Sequence, residues 1–249
     1  MPRFCANLSM LFPDLPLPQR IGAARAAGFE AVEILFPYEV NSAELLGPLR
    51  QTGLPLALIN GPPPSYAGGP RGFAAIPGGQ ARFAADLRRA LRYVDALGAQ
   101  HLHLMAGVAE GPKARAAFVE NLRHAVQTAP AQSFTIEPLN PADMPGYFLS
   151  DFDVAMDILD EIDAPNLHLQ FDAYHAHRIT GDVMGTWAKT RRRVAHVQIA
   201  GYPGRHEPTG GEIDYPEVFA MLDADGYDGW VSAEYNPKGD TVAGLGWLQ

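Results

Sequence analysis

Eight short apolar runs, separated by stretches of helical period, constrain this chain more than any other feature. They are FCANLSML near Phe4, AVEILF from Ala31, LALIN from Leu56, HLHLMAG from His101, FTIEPL from Phe134, LHLQFD from Leu167, VAHVQIAG from Val194 and WVSAEY from Trp230. Several are apolar almost throughout, as strands of a parallel sheet buried on both faces should be. Between them lie Ala/Leu/Arg-rich segments with helical spacing, such as FAADLRRALRYVDALG and RAAFVENLRHAVQ. Gly98 stands where the first would end, and Ser150–Asp151 offers a helix cap before FDVAMDILDEI. Eight strand–helix units predict an α/β fold, a closed (β/α)₈ TIM barrel. At 249 residues, the whole chain 1–249 is expected to form a single domain.

Composition narrows the function classes. Cys5 is the only cysteine, so no internal disulfide can form, which fits a reducing, cytoplasmic setting. The N-terminal segment MPRFCANLSMLFPDLP is broken by Pro13 and Asp14 and does not read as a signal peptide. No apolar stretch is long enough to span a membrane. The net charge of −9 disfavours nucleic acid as a partner. A small anionic substrate needs only a local cation and stays open. Barrels commonly pair, so a homodimer is the expected assembly, although no interface is legible.

The chemistry gathers at the ends of the last four runs. These carry Glu137 in TIEPLN, Asp172 in LQFDAYH, Gln198 in HVQIAG and Glu234 in SAEYNP. The steps are 35, 26 and 36 residues, each close to one strand–helix unit. The four side chains are therefore expected at one height on the C-terminal rim, where barrel enzymes keep their sites. Three carboxylates gathered there would repel one another, and burial would penalise each. A divalent cation resolves both problems. An all-oxygen donor set suits Mg²⁺, with Mn²⁺ as its rival, better than zinc.

Other residues are weaker candidates. His175 is expected to hydrogen-bond a substrate oxygen or to orient a ligand. Asp143 is either a substrate contact or a turn residue of NPADMPG, and Arg205 is either a carboxylate clamp or a solvated loop cation. His101 and His103 alternate on one strand and are read as structural. Arg191, Arg192 and Arg193 are read as a solvated patch at the opposite end of the barrel. The Pro/Gly-rich segment 61–79 reads as a functional loop rather than a domain boundary, and its glycines lack the strand–GxGxxG–helix context of a dinucleotide site.

With these residues in view, the chain resembles the hydroxypyruvate isomerase family of xylose-isomerase-like barrels. The resemblance runs through ANLSMLF at Ala6, GFEAVEILFPY at Gly28, LHLMAG at Leu102 and FVENLRHA at Phe118. It is strongest in IEPLN at Ile136, DMPGYFL at Asp143, LQFDAYH at Leu169, HVQIAGYPGRHEPTGGEIDYP at His196 and GYDGWVSAEYNPKGDTVAGLGWL at Gly226. The resemblance implies a metal site at Glu137, Asp172, Gln198 and Glu234, with Glu137 and Glu234 doubling as proton donor and acceptor. The expected substrate is a small hydroxy-keto acid, and His175, Asp143, Arg205 and Arg71 are expected as its contacts. Two departures stand out. The loop after the third run reads GPPPSYAGGPRG, keeping Arg71–Gly72 but lacking the family's GDW-type segment, and the helix before the fifth run looks short.

The expected reaction moves a carbonyl between adjacent carbons of hydroxypyruvate through an enediolate. A hydride shift stays open, and solvent deuterium would separate the two. Rival readings are a 2-oxo-tetronate isomerase or ketose epimerase on the same residues and, from a different class, a metal-dependent phosphodiesterase or DNA-repair nuclease. The absence of a His-rich zinc cluster argues against the last, and retention of all four ligands argues against a barrel that only binds.

Overall fold

The computed structural model describes residues 2–63 and 71–248. The stretch 64–70, within the expected functional loop, lies outside the described residues. All eight apolar runs form strands: β1 (Arg3–Asn7), β2 (Ala31–Ile34), β3 (Leu56–Asn60), β4 (His101–His103), β5 (Ser133–Ile136), β6 (Leu167–Asp172), β7 (Val194–Ile199) and β8 (Trp230–Ala233). Each pairs in parallel with the next, and β8 returns to β1, closing the barrel. The expected α/β barrel is therefore the observed fold.

The helices pack outside the strands. They are α1 (Leu17–Ala26), α2 (Ser42–Thr52), α3 (Gln80–Leu97), α4 (Gly111–Thr128), α5 (Phe152–Ile162), α6 (Ala173–Thr180), α7 (Val183–Thr190) and α8 (Tyr215–Ala224). Their boundaries follow local chemistry. Asp151 caps α5 by accepting from the amides of Asp153 and Val154, and α3 stops at Gly98, whose φ of 68° is the left-handed conformation glycine adopts without strain.

Three details differ from the sequence reading. The helix before β5, α4, is not short but 18 residues long: Thr128 is still helical, and only the short turn after it was visible as TAPAQS. The β6–β7 connection holds two helices, because Gly181 ends α6 and Asp182 caps α7. After β8 the chain forms a 3₁₀ turn at Leu245–Leu248. There Trp247 packs edge-on against Phe4, their ring centres 5.2 Å apart. No helix among the described residues is long and apolar enough to cross a membrane.

The apolar core lies mainly between strands and helices, as in Leu8, Phe29, Phe118, Phe134, Phe171 and Trp187. The barrel interior is organised differently. A small plug of Cys5, Ala31, Ala57 and Trp230 lies towards the end where the strands begin. Beyond it, the two-residue period of each strand points polar side chains inward: Glu33 on β2, Thr135 on β5, Gln170 on β6, His196 on β7 and Ser232 on β8, all buried. The next inward step on the last four strands carries the rim residues.

Candidate active site

Glu137 follows β5 directly, Asp172 ends β6, Gln198 is the penultimate residue of β7 and Glu234 follows β8. None of the four is more than 7% exposed. Glu137 and Glu234 open onto a cavity of about 380 Å³, whose wall also includes His175, Arg205, Asp143, Arg71 and the apolar Leu35, Met105, Leu139 and Met144. Arg71 is carried to this rim by a tight crossing of loops. Gly72 bridges Ala106, and a Cβ at Gly72 would lie 2.2 Å from the Met105 carbonyl oxygen, so a side chain there would push the two loops apart.

Asp172 has both oxygens engaged, whereas Glu137 and Glu234 each have one engaged and one left over. Asp172 Oδ1 caps α6, accepting from the amides of Tyr174 (2.7 Å) and His175 (3.3 Å), while Oδ2 faces Arg205 Nη2 at 3.4 Å. Glu137 Oε2 accepts from Gln170 Nε2 at 2.9 Å, and Glu234 Oε1 meets Arg205 Nη2 at 3.2 Å. Glu137 Oε1 and Glu234 Oε2 are buried without a hydrogen-bond partner among the described residues. The desolvation of such atoms is costly, so their presence at a cavity calls for a partner that enters from outside.

The electrostatics agree. Among the described residues, four carboxylates, Glu33, Glu137, Asp172 and Glu234, are buried near one another, and Arg205 pairs with two of them, Asp172 and Glu234. Burial first, then the neighbouring Glu234 and Asp172, pushes Glu137 well above the usual carboxylate range. Burial lifts Glu234 to about 8, with Glu33 and Asp172 adding to the rise and Arg205 opposing it. Burial disfavours the Arg205 charge, but Glu234, Asp172 and Glu137 outweigh it and raise its proton affinity. A divalent cation would offset the excess negative charge, and Glu137 and Asp172 bring carboxylate oxygens close enough together to share one.

His175 offers a competing donor. Its ring and single oxygens of Glu137 and Asp172 have ligand atoms within 4.8 Å of one another. Its hydrogen bonding argues against ligation. The Asn140 amide donates to His175 Nδ1 at 3.0 Å, and burial lowers the ring's pKa to about 4. A neutral ring with Nδ1 as acceptor carries its proton on Nε2 and points a donor, not a lone pair, towards Asp172 and the cavity. Gln198 offers an oxygen instead.

Asp143 lies on the cavity wall but is already occupied. Asn140 Nδ2 and the Tyr174 hydroxyl each donate to it at 3.0 Å, and Arg178 donates as well. Burial raises its pKa, but these three bonds outweigh that and lower it. Asp143 thus ties the α6 residues Tyr174 and Arg178 to the β5 loop. Arg205 takes an uncommon φ of 55° for a side-chain-bearing residue, and its guanidinium lies 5.2 Å over the Tyr174 ring.

The sequence reading missed the layer beneath the rim. Glu33 accepts from Asn7, His196 and Gln198, and Gln170 donates to both Glu137 and Gln198. His103 Nδ1 bonds Asn60 Oδ1 at 3.2 Å and lies 3.6 Å from Glu137 Oε2. The available signal was a polar residue inside each apolar run, two positions before the rim residue: Thr135, Gln170, His196 and Ser232.

Comparison with known proteins places the chain. The family model described as xylose isomerase-like TIM barrel matches residues 21–249. The chain belongs to that family. It is 47% identical to a 2-oxo-tetronate isomerase of Cupriavidus necator, over 100% of this chain and 98% of the relative. It is 37% identical to the hydroxypyruvate isomerase of Escherichia coli, again over 100% of this chain and 98% of the relative. A crystal structure titled AP endonuclease, family 2, from Brucella melitensis superposes with a TM-score of 0.96 at 42% identity, covering 100% of this chain and 98% of that one. With full-length relatives that are isomerases, this xylose isomerase-like barrel is an isomerase enzyme, as its sequence led us to expect.

Proposed function

We propose that this barrel is a metal-dependent isomerase of small 2-oxo-3-hydroxy acids, interconverting hydroxypyruvate and tartronate semialdehyde (2-hydroxy-3-oxopropanoate), on a single domain spanning the chain. The observation that carries the reading is the pair of unpartnered carboxylate oxygens, Glu137 Oε1 and Glu234 Oε2, at a cavity that also holds Arg205. The buried, unpaired Cys5 supports a reducing, cytoplasmic setting.

The residues divide the work. Arg205, with Arg71 at the rim, binds the substrate carboxylate. His175 Nε2–H donates to a substrate oxygen. One of Glu137 and Glu234 takes the proton from the hydroxyl-bearing carbon, and the other returns a proton to the neighbouring carbon. Burial favours the neutral form of both glutamates, and a cation held beside them would restore the ionised, proton-accepting form. Leu35, Met105, Leu139 and Met144 keep the wall around the reacting carbons apolar. A divalent cation held by Glu137, Asp172, Gln198 and Glu234, Mg²⁺ first and Mn²⁺ second, would polarise the carbonyl and offset the charge of the enediolate.

The 47% identity to a 2-oxo-tetronate isomerase favours a second reading, in which the substrate is the four-carbon acid. The two substrates share the reacting fragment and differ by one hydroxymethyl group, which a cavity of about 380 Å³ accommodates. The test is turnover of both acids by metal-stripped enzyme with Mg²⁺ or Mn²⁺ restored, beside Glu137→Gln and Glu234→Gln. Metal-dependent turnover lost in both variants supports the proposal, and the ratio of kcat/KM values selects the substrate. Full turnover by the metal-stripped enzyme, or by either variant, overturns it.

A further inference from the structure

One heavily hydrogen-bonded acid inside this barrel lies beneath the rim. Glu33 on β2 is 0% exposed, and donors from two strands converge on it: Asn7 Nδ2 of β1 at 2.6 Å, and from β7 His196 Nε2 at 2.6 Å and Gln198 Nε2 at 2.8 Å. Stability gives no reason for a carboxylate here. An apolar side chain of similar volume would fill the space without desolvating a charge. With three donors aimed at it, Glu33 offers its neighbours acceptors and nothing else.

That restriction matters for Gln198. A glutamine amide has an oxygen end and an NH₂ end of nearly equal size, and rotation about its last bond exchanges them. A carboxylate 2.8 Å from one end removes the choice: the NH₂ must face Glu33, because the reverse would set an oxygen against an anion. Gln198 Oε1 is thereby directed the other way, where it accepts from Gln170 Nε2 at 2.7 Å and keeps a second lone pair. Gln170 is fixed in the same sense. Its oxygen accepts from Thr135 Oγ1 at 3.0 Å, and its NH₂ donates to Gln198 and to Glu137 Oε2. The chain of bonds runs in one direction, from Thr135 through Gln170 and Gln198 to Glu33, and it ends on the one member that can only accept.

We propose that Glu33 is a positioning residue that fixes the polarity of the Gln198 amide, so that Gln198 presents its oxygen rather than its NH₂ to a divalent cation at the rim. This rests on the metal site proposed above. An amide free to turn over would spend part of its time offering two N–H groups to a cation, and affinity would fall in proportion.

The test is Mn²⁺ affinity, read by the loss of the free-ion electron paramagnetic resonance signal, in wild type, Glu33→Gln, Gln198→Ala and the double variant. Thermal melting checks the fold of each. Groups that orient metal ligands typically contribute about 10–100-fold in affinity, and Glu33→Gln is expected to lose that much. Removing a nearby negative charge would also weaken cation binding, so the double variant decides: in the Gln198→Ala background, Glu33→Gln should change affinity less than about 2-fold. An undiminished effect there means that Glu33 acts through its charge and overturns the proposal. So does wild-type affinity in Glu33→Gln while Gln198→Ala is weakened, an outcome that leaves the metal site standing. Unchanged affinity in Gln198→Ala removes Gln198 from the ligand set, and the proposal falls with that part of the site. If Glu33→Gln does not fold, the Gln198 side-chain amide of the wild-type protein gives the readout by nuclear magnetic resonance. Slow NH₂ exchange throughout a Mg²⁺ titration supports a fixed amide, and fast exchange overturns it.

Discussion

The two ends of the barrel treat charge in opposite ways. At the end where the strands begin, Arg191, Arg192 and Arg193 form a 3₁₀ turn and pair with acids in α5 and at the C-terminal ends of α5 and α8. Arg191 meets Asp225 at 3.1 Å, Arg192 and Arg193 meet Asp160 at 2.8 and 2.7 Å, and Arg193 meets Asp163 at 3.1 Å. The expected solvated patch is thus exposed but paired. The hydrogen bond from Arg193, then the charge of Arg192, holds Asp160 below the usual carboxylate range. At the rim the balance reverses: Glu137 and Glu234 are pushed up, and each keeps an unpartnered oxygen. One end arranges its charges as a folded protein tolerates them. The other holds acids against their own desolvation, which is the mark of a site built for a ligand.

The largest effects should come from erasing that difference at the rim. Glu137→Gln and Glu234→Gln should each lower kcat by about 10²–10⁴-fold or more, while the metal-free variants melt close to wild type, because burial already favours the neutral form of both acids and glutamine keeps their size. Steady-state rates beside melting curves check both halves.

A pH series sharpens the comparison at smaller amplitude. Glu234 titrates near 4.5 when unfolded and at about 8 in the fold. The folded state holds its proton longer, so metal-free protein should lose stability as pH rises from about 4.5 to about 8, by up to a few kcal/mol. Urea unfolding across that range should show a shallower slope in Glu234→Gln than in wild type, the remainder coming from Glu137.

His103 gives the opposite sign on the acid side. Burial, then the neighbouring His196 and His175, lowers it from 6.5 to about 3. Below pH 6.5 the unfolded chain takes a proton that the folded ring refuses, so stability should fall between pH 6.5 and about 3. His103→Gln should make that part of the same unfolding series shallower, His101 and His175 supplying the rest.

The smallest effect belongs to the other end. Arg192→Ala, at a pair whose side chains are 65% and 46% exposed, should change stability by less than about 1 kcal/mol and leave turnover alone. A loss of activity there would break the division between the two ends.

What the sequence made legible follows from periodicity. Strands buried on both faces read as apolar runs, and one polar residue at the end of each of the last four runs put Glu137, Asp172, Gln198 and Glu234 at one height. Contacts that depend on closing the barrel carry no such signal. Glu33 meets His196 across 163 positions of sequence, and only the meeting of β8 with β1 brings them together. Contacts between neighbouring units were equally silent: the tautomer of His175 is fixed by the Asn140 backbone amide, and the Asp143 carboxylate is taken up by Tyr174 and Arg178 of α6. Local punctuation was legible only in part: Gly98 and Asp151 marked helix ends, whereas Thr128 closing α4 late had no marker.

The central claim is that the rim acids bind one divalent cation. Calorimetric titration of metal-stripped protein with Mn²⁺ at pH 7, in two buffers of different ionisation enthalpy, tests it most directly. The account predicts one ion per chain, proton release as Glu137 and Glu234 ionise, and loss of binding in Glu137→Gln. No binding in the wild type, or equal stoichiometry and affinity in Glu137→Gln, would contradict it.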